Sequence, residues 1–200
     1  MTEFEKHALA GSKLLRFLCY CERSDMSPPQ GAGREWSVLK MGFHHAKMSL
    51  TIYLAENGLH IDQGKICKAH IPYKGALIVS PPGHGKTVIA CGWIAQHLAE
   101  NVQSQGSYLH AVKDEAIKNV TKTGSYFKLD NSTGERFRTL YPHIRLDPKA
   151  KASSIIRLHS PHRTKDPNLQ GSGVMVKPLG RNNDFQVWDD VVPQSDIHEE

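Results

Sequence analysis

The chain has 200 residues, of which 39% are hydrophobic and 22% are charged, a composition typical of a folded domain and not of a disordered chain. Its net charge of +5 permits an anionic partner but does not identify one. No apolar run reaches the roughly 18–20 residues that a membrane span requires, and residues 1–7 lack the pattern of a signal peptide. The sequence therefore predicts a cytoplasmic protein without a membrane partner.

The N-terminal part of the chain is predicted to be helical. Apolar residues recur at helical spacing over 4–21 and over 44–56, and the second of these predicted helices ends at Asn57 and Gly58. Between them, residues 27–34 are rich in proline and glycine and predict a linker.

The rest of the chain alternates short apolar runs with helical patterns. Ala76–Val79 is continuously apolar, as expected for a strand buried on both faces, and a helix over 88–98 follows it. The remaining predicted elements are strands over 107–112, 154–158, 173–176 and 185–188 and a helix over 113–127. This alternation predicts an α/β fold in which a mainly parallel sheet is flanked by helices.

A glycine-containing loop is predicted between the first apolar run and its helix. Its residues are Ser80, Pro81, Pro82, Gly83, His84, Gly85, Lys86 and Thr87. They match the nucleotide-binding (Walker A) pattern Gly-x-x-x-x-Gly-Lys-Ser/Thr except at the first position, which is Ser80. In such a loop, backbone N–H groups wrap the phosphates, Lys86 reaches the β- and γ-phosphates, and the Thr87 hydroxyl coordinates Mg²⁺. The alternative is a turn before a surface helix, but the position between strand and helix favours a binding loop for ATP and Mg²⁺.

Two consecutive carboxylates follow the last predicted strand. Asp189 and Asp190 come directly after Phe185–Trp188, as in a Walker B segment. There Asp189 would hold Mg²⁺ and Asp190 would activate the water that attacks the γ-phosphate. Glu199 and Glu200 are alternative catalytic carboxylates, and an Asp-Asp turn that ends a strand is the structural alternative.

Together these motifs resemble the N-terminal ATPase domain of the large terminase subunit of tailed bacteriophages. The similar segments are the loop over 81–87, the stretch over 136–147, the residues 165–169 and the paired aspartates, and the resemblance covers roughly residues 40–200. It implies a P-loop NTPase fold of the RecA-like (ASCE) type. It also implies a hydrolase that couples Mg-ATP hydrolysis to translocation of double-stranded DNA into a capsid.

The resemblance extends to organisation and partners. It implies a homo-oligomeric ring that works with a portal and a small terminase subunit in the host cytoplasm. The expected domains are an N-terminal helical segment and linker over 1–35 and a P-loop ATPase domain over 36–200. Because the family continues past this point into a coupling motif and a nuclease domain, we expect the ATPase domain to be incomplete at its C-terminus. The sequence does not support nuclease activity in this chain, because it shows no acidic cluster with two-metal character.

Three alternatives stay open at the level of the sequence. Relatives often carry an arginine where this chain has Gly83, so the arginine that contacts the γ-phosphate is either Arg181 or one from a neighbouring subunit. Another P-loop DNA translocase or helicase would share both motifs. A truncated module that binds nucleotide without hydrolysing it would share them as well.

Overall fold

A computed structural model describes most of the chain. The described residues are 12–21, 43–63, 65–69, 75–81, 83–148, 152–160, 166–174 and 183–191. The chain divides into two compact units, Met1–Gly92 and Trp93–Glu200. Within the described ranges, no helix combines the length and the apolar character needed to cross a membrane.

The first unit contains two helices and a hairpin. Helix α1 spans Ser12–Cys21 and helix α2 spans Phe43–Glu56, and the two helices pack against each other. The predicted helices are thus confirmed wherever the structure describes them. Strands β1 (Leu59–Asp62) and β2 (Lys65–Lys68) form an antiparallel hairpin that the sequence patterns do not predict. The buried apolar side chains of the two helices include Leu14, Phe17, Leu18, Met48 and Leu50.

The apolar run Ala76–Val79 is not a buried strand, and this prediction was wrong. Residues 75–81 have no regular secondary structure, and the side chains of Leu77 and Val79 are each 86% exposed. A strand is buried on both faces only when neighbouring strands pair with its backbone. Within the described ranges no strand pairs with this segment, so its apolar composition alone does not place it in a sheet.

A four-stranded sheet forms the centre of the second unit. Its strands are β3 (Gly106–His110), β4 (Ile155–Ile156), β5 (Leu169–Gly173) and β6 (Phe185–Trp188), in the order β4-β5-β3-β6. Strand β3 is parallel to β5 and to β6, and β4 is antiparallel to β5. Helices α3 (Lys86–Glu100), α4 (Lys113–Ser125) and α5 (Ser132–Leu140) complete the described elements, and the boundary between the units falls within α3. The chain is therefore α/β with a mixed, mostly parallel sheet flanked by helices, as predicted.

Strand β5 lies earlier in the chain than predicted, because it is built around glycine. The prediction placed this strand over 173–176, where the apolar residues cluster, and residues 175 and 176 lie outside the described ranges. The strand that the structure describes is Leu169–Gly173, and residue 174 lies in a turn. A Cβ at Gly171 would come within 2.9 Å of the carbonyl oxygen of Ala116 in α4. The close approach of helix and strand requires glycine here, and a search for apolar strands misses it.

Asn168 ties β5 to the loop before β3. Its buried side chain accepts a hydrogen bond from the N–H of Leu158 at 2.8 Å and donates to the carbonyls of Val102 at 2.6 Å and Ser104 at 3.1 Å. Its own carbonyl accepts from the N–H of Gly106 at 2.9 Å. These bonds satisfy backbone groups that would otherwise be unpaired, so Asn168 fixes β5 against the start of β3, the strand that pairs with β6.

Candidate functional site

Two glycines shape the predicted phosphate loop. Gly83 has a φ of +78° and Gly85 a φ of +77°, both in the left-handed region that favours glycine. A Cβ added at Gly83 would meet no atom within 4 Å, so the space beside the backbone is open there. This backbone is compatible with the close approach of an anion to its N–H groups.

Lys86 is the first residue of α3, and its ammonium group is bound to the loop. Nζ donates a hydrogen bond to the carbonyl oxygen of Ser80 at 2.6 Å and so closes the loop from its first residue to the helix. The N–H of Ile89 donates to the carbonyl of Gly85 at 3.0 Å, which is the first-turn bond of α3. The Lys86 ammonium therefore lies next to a helix N-terminus, whose backbone N–H groups and dipole favour negative charge.

The other described residues of the loop differ in their exposure. Pro81 and His84 are exposed, whereas Ser80 and Thr87 are half-buried. Thr87 is the second residue of α3, so its hydroxyl belongs to the first helical turn. Pro82 lies outside the described residues.

At the other motif, Asp189 lies at the carboxyl end of β6 and is 9% exposed. Its N–H donates to the carbonyl of Leu109 at 2.9 Å, which continues the ladder between β6 and β3 past the end of the strand. Its Oδ2 accepts a hydrogen bond of 2.6 Å from the hydroxyl of Tyr108 in β3. The backbone and the carboxylate of Asp189 are thus both held by β3.

Asp190 lies where the chain leaves the sheet. Its φ is +43°, a left-handed conformation that aspartate tolerates better than most residues with a Cβ. Its carbonyl accepts from the N–H of Ala111 at 3.2 Å, and its side chain is exposed. Asp190 therefore combines an exposed carboxylate with a turn conformation.

No protein-family model, no curated protein and no solved structure matches the chain.

The predicted site residues form two groups, one in each unit. The loop Ser80–Thr87 belongs to the first unit, and Asp189 and Asp190 belong to the second. The other predicted candidates, namely Arg181, Glu199 and Glu200, lie outside the described residues. The structure adds Tyr108, which no motif indicates because it is 81 residues away from Asp189 in the chain. Only the pairing of β3 with β6 brings the two side chains together.

The oxygen ligands at these positions fit magnesium. Mg²⁺ prefers oxygen ligands and is commonly bound through one or two protein groups together with phosphates and water. The Thr87 hydroxyl and the Asp189 carboxylate supply ligands of that type. Among the described residues no group of three or more His, Cys, Asp or Glu side chains is arranged to hold a metal ion.

Proposed function

We propose that this protein is a P-loop ATPase whose phosphate loop binds Mg-ATP. The observation that carries the proposal is the closed loop: Gly83 and Gly85 adopt positive φ, and the Lys86 ammonium is held 2.6 Å from the Ser80 carbonyl at the start of α3. A phosphate entering the loop would replace this carbonyl as the partner of Lys86. In the bond to phosphate both donor and acceptor are charged, whereas in the bond to the Ser80 carbonyl only the donor is charged.

Each of the other candidate residues has a role in this proposal. In the first unit, the Thr87 hydroxyl would be a ligand of the Mg²⁺ that accompanies the nucleotide, and the bound ion would neutralise charge on the phosphates. In the second unit, the Asp189 carboxylate is proposed as a magnesium ligand. Lys86 would contact the β- and γ-phosphates. Asp190, which is exposed, would orient the attacking water and accept its proton.

The resemblance supports a more specific role. We propose that ATP hydrolysis drives translocation of double-stranded DNA, as in the large terminase subunit of tailed bacteriophages. The net charge of +5 is compatible with a nucleic-acid partner. The same proposal includes assembly into a ring with a portal and a small terminase subunit, in the cytoplasm of the host.

Steady-state ATP hydrolysis with and without DNA tests both levels of this proposal. We expect Mg²⁺-dependent phosphate release that double-stranded DNA accelerates and that Lys86→Ala abolishes. Stronger stimulation by single-stranded DNA would contradict the terminase role and favour a helicase. Tight binding of ATP without turnover would contradict the ATPase and favour a nucleotide-binding module. Equal hydrolysis by the wild type and by Lys86→Ala would refute the assignment of the loop.

A further inference from the structure

Tyr108 is a buried tyrosine whose hydroxyl contacts a predicted metal ligand. Its side chain has no solvent exposure, and its hydroxyl donates to Oδ2 of Asp189 at 2.6 Å. Distances of this size are typical of strong bonds between a hydroxyl and a carboxylate. The contact joins the centre of the sheet to the candidate site.

The strand register explains why these two side chains meet. Tyr108 pairs with Val187 in the parallel ladder between β3 and β6, and Asp189 follows two residues later on the same face of the sheet. A long side chain on one strand reaches such a diagonal neighbour on the next. The Tyr108 ring therefore spans from the middle of β3 to the carboxylate beyond the end of β6.

The surroundings restrict both partners of this hydrogen bond. The first four residues of β3, which include Tyr108, are all buried. The protein therefore encloses the Tyr108 ring. The backbone of Asp189 is fixed by the bond from its N–H to the carbonyl of Leu109. With ring and backbone both held, the hydroxyl of Tyr108 selects one orientation of the Asp189 carboxylate.

We propose that Tyr108 is a positioning residue for the divalent cation of this site. It fixes the Asp189 carboxylate in the orientation that receives the ion with its water shell. The inference rests on the proposed function, because it requires Asp189 to be a magnesium ligand as proposed above. Residues that orient a metal ligand through a hydrogen bond typically contribute 10- to 100-fold to metal affinity.

Equilibrium binding of Mn²⁺, followed by electron paramagnetic resonance in the presence of ATPγS, tests this role without a hydrolysis readout. We expect Tyr108→Phe to weaken Mn²⁺ binding by about 10- to 100-fold. The affinity for ATPγS in EDTA stays unchanged, because the loop does not involve Tyr108. In the Asp189→Asn background, the same change has no further effect on Mn²⁺ affinity, since the two residues act through one bond.

The chain offers a matched control. The hydroxyl of Tyr141 donates to Oε1 of Glu100 at 3.1 Å, so Tyr141→Phe removes another tyrosine–carboxylate bond away from the candidate site. Its Mn²⁺ affinity is expected to equal that of the wild type. A second measurement is the thermal unfolding midpoint of each variant with ATPγS, once with Mn²⁺ and once with EDTA. The difference between the two midpoints reports the stabilisation by the cation, and it stays comparable between variants even if Tyr108→Phe lowers both midpoints.

The outcomes separate this inference from the proposed function. Wild-type Mn²⁺ affinity in Tyr108→Phe, with or without a lower unfolding midpoint, would overturn the positioning role and leave the ATPase proposal standing. Equal weakening by Tyr141→Phe would overturn it as well. Absence of ATPγS binding to the wild type would refute the proposed function itself.

Discussion

Substitutions at Asp190 separate its proposed catalytic role from its role in the turn. With φ at +43°, alanine at this position would occupy a left-handed conformation, which costs a residue with a Cβ about 1–2 kcal/mol. Glycine has no such cost, and asparagine tolerates the conformation much as aspartate does. We therefore expect Asp190→Asn and Asp190→Gly to unfold near the wild-type midpoint. Asp190→Ala is expected to unfold about 2–8 °C lower, because 1 kcal/mol corresponds to roughly 2–4 °C for a chain of this length.

The three variants should lose ATP hydrolysis alike, although their unfolding midpoints differ. All three variants lack the carboxylate, so each should lose about 100-fold or more in kcat, the range typical of a general base, while ATP binding is retained. The assays are thermal unfolding by circular dichroism, phosphate release at saturating ATP and equilibrium binding of ATPγS. Near wild-type hydrolysis by Asp190→Asn and Asp190→Gly, with a loss only in Asp190→Ala, would refute the catalytic role. Asp190 would then serve as a turn residue.

Two further predictions concern the framework of the second unit. Gly134→Ala should lower the free energy of unfolding by about 1–3 kcal/mol, because the new Cβ would lie at the carbonyl oxygen of Lys128 and the buried backbone must move. Urea unfolding measures this loss, with Thr133→Ala in the same helical turn as the control. Equal losses in the two variants would contradict the clash. Asn168→Ala should lower the free energy of unfolding by about 3 kcal/mol or more, because one N–H and two carbonyls lose their hydrogen-bond partner, at roughly 1–3 kcal/mol per buried group. Urea unfolding measures this loss as well. A loss below 1 kcal/mol would show that water replaces these bonds.

Local patterns predict the elements that local interactions determine. The helices over 44–56 and 113–127 and the strand Phe185–Trp188 were predicted from periodicity and apolar runs, and the structure confirms them to within two residues at each end. Helix α5 was not predicted, although Asn131 caps its N-terminus by accepting from the N–H of Gly134 at 2.8 Å. Its short sequence is polar, and its stability depends on packing of Phe137 that no local pattern displays.

Features that depend on pairing between distant segments escaped the sequence patterns. The run Ala76–Val79 has the composition of a buried strand, but burial is decided by which strands pair, and that information lies elsewhere in the chain. By contrast, the sequence predicts Asp189 as a site residue from its position after an apolar strand. Tyr108, its hydrogen-bond donor, becomes visible only through the register of β3 against β6.

The phosphate loop was predicted in more detail than the rest of the site. The sequence pattern requires glycine at Gly85, and Gly85 adopts a positive φ of +77°; Gly83 lies at a variable position of the pattern, so its φ of +78° is not anticipated by it. The pattern does not indicate that the Lys86 ammonium rests on the carbonyl of Ser80, because that contact depends on how the loop closes.

Equilibrium binding of Mg-ATPγS to the wild type and to Lys86→Ala, measured by isothermal titration calorimetry, tests the central claim most directly. Lys68→Ala is the matched control, since it removes an exposed lysine of β2 in the same unit. Hydrogen bonds to a charged group contribute about 1.5–3 kcal/mol, and 1.4 kcal/mol is tenfold in affinity. Lys86→Ala should therefore raise the Kd by roughly 10- to 100-fold, while Lys68→Ala leaves it unchanged. Equal Kd values for all three proteins, or no binding to the wild type, would contradict the claim that this loop binds the nucleotide.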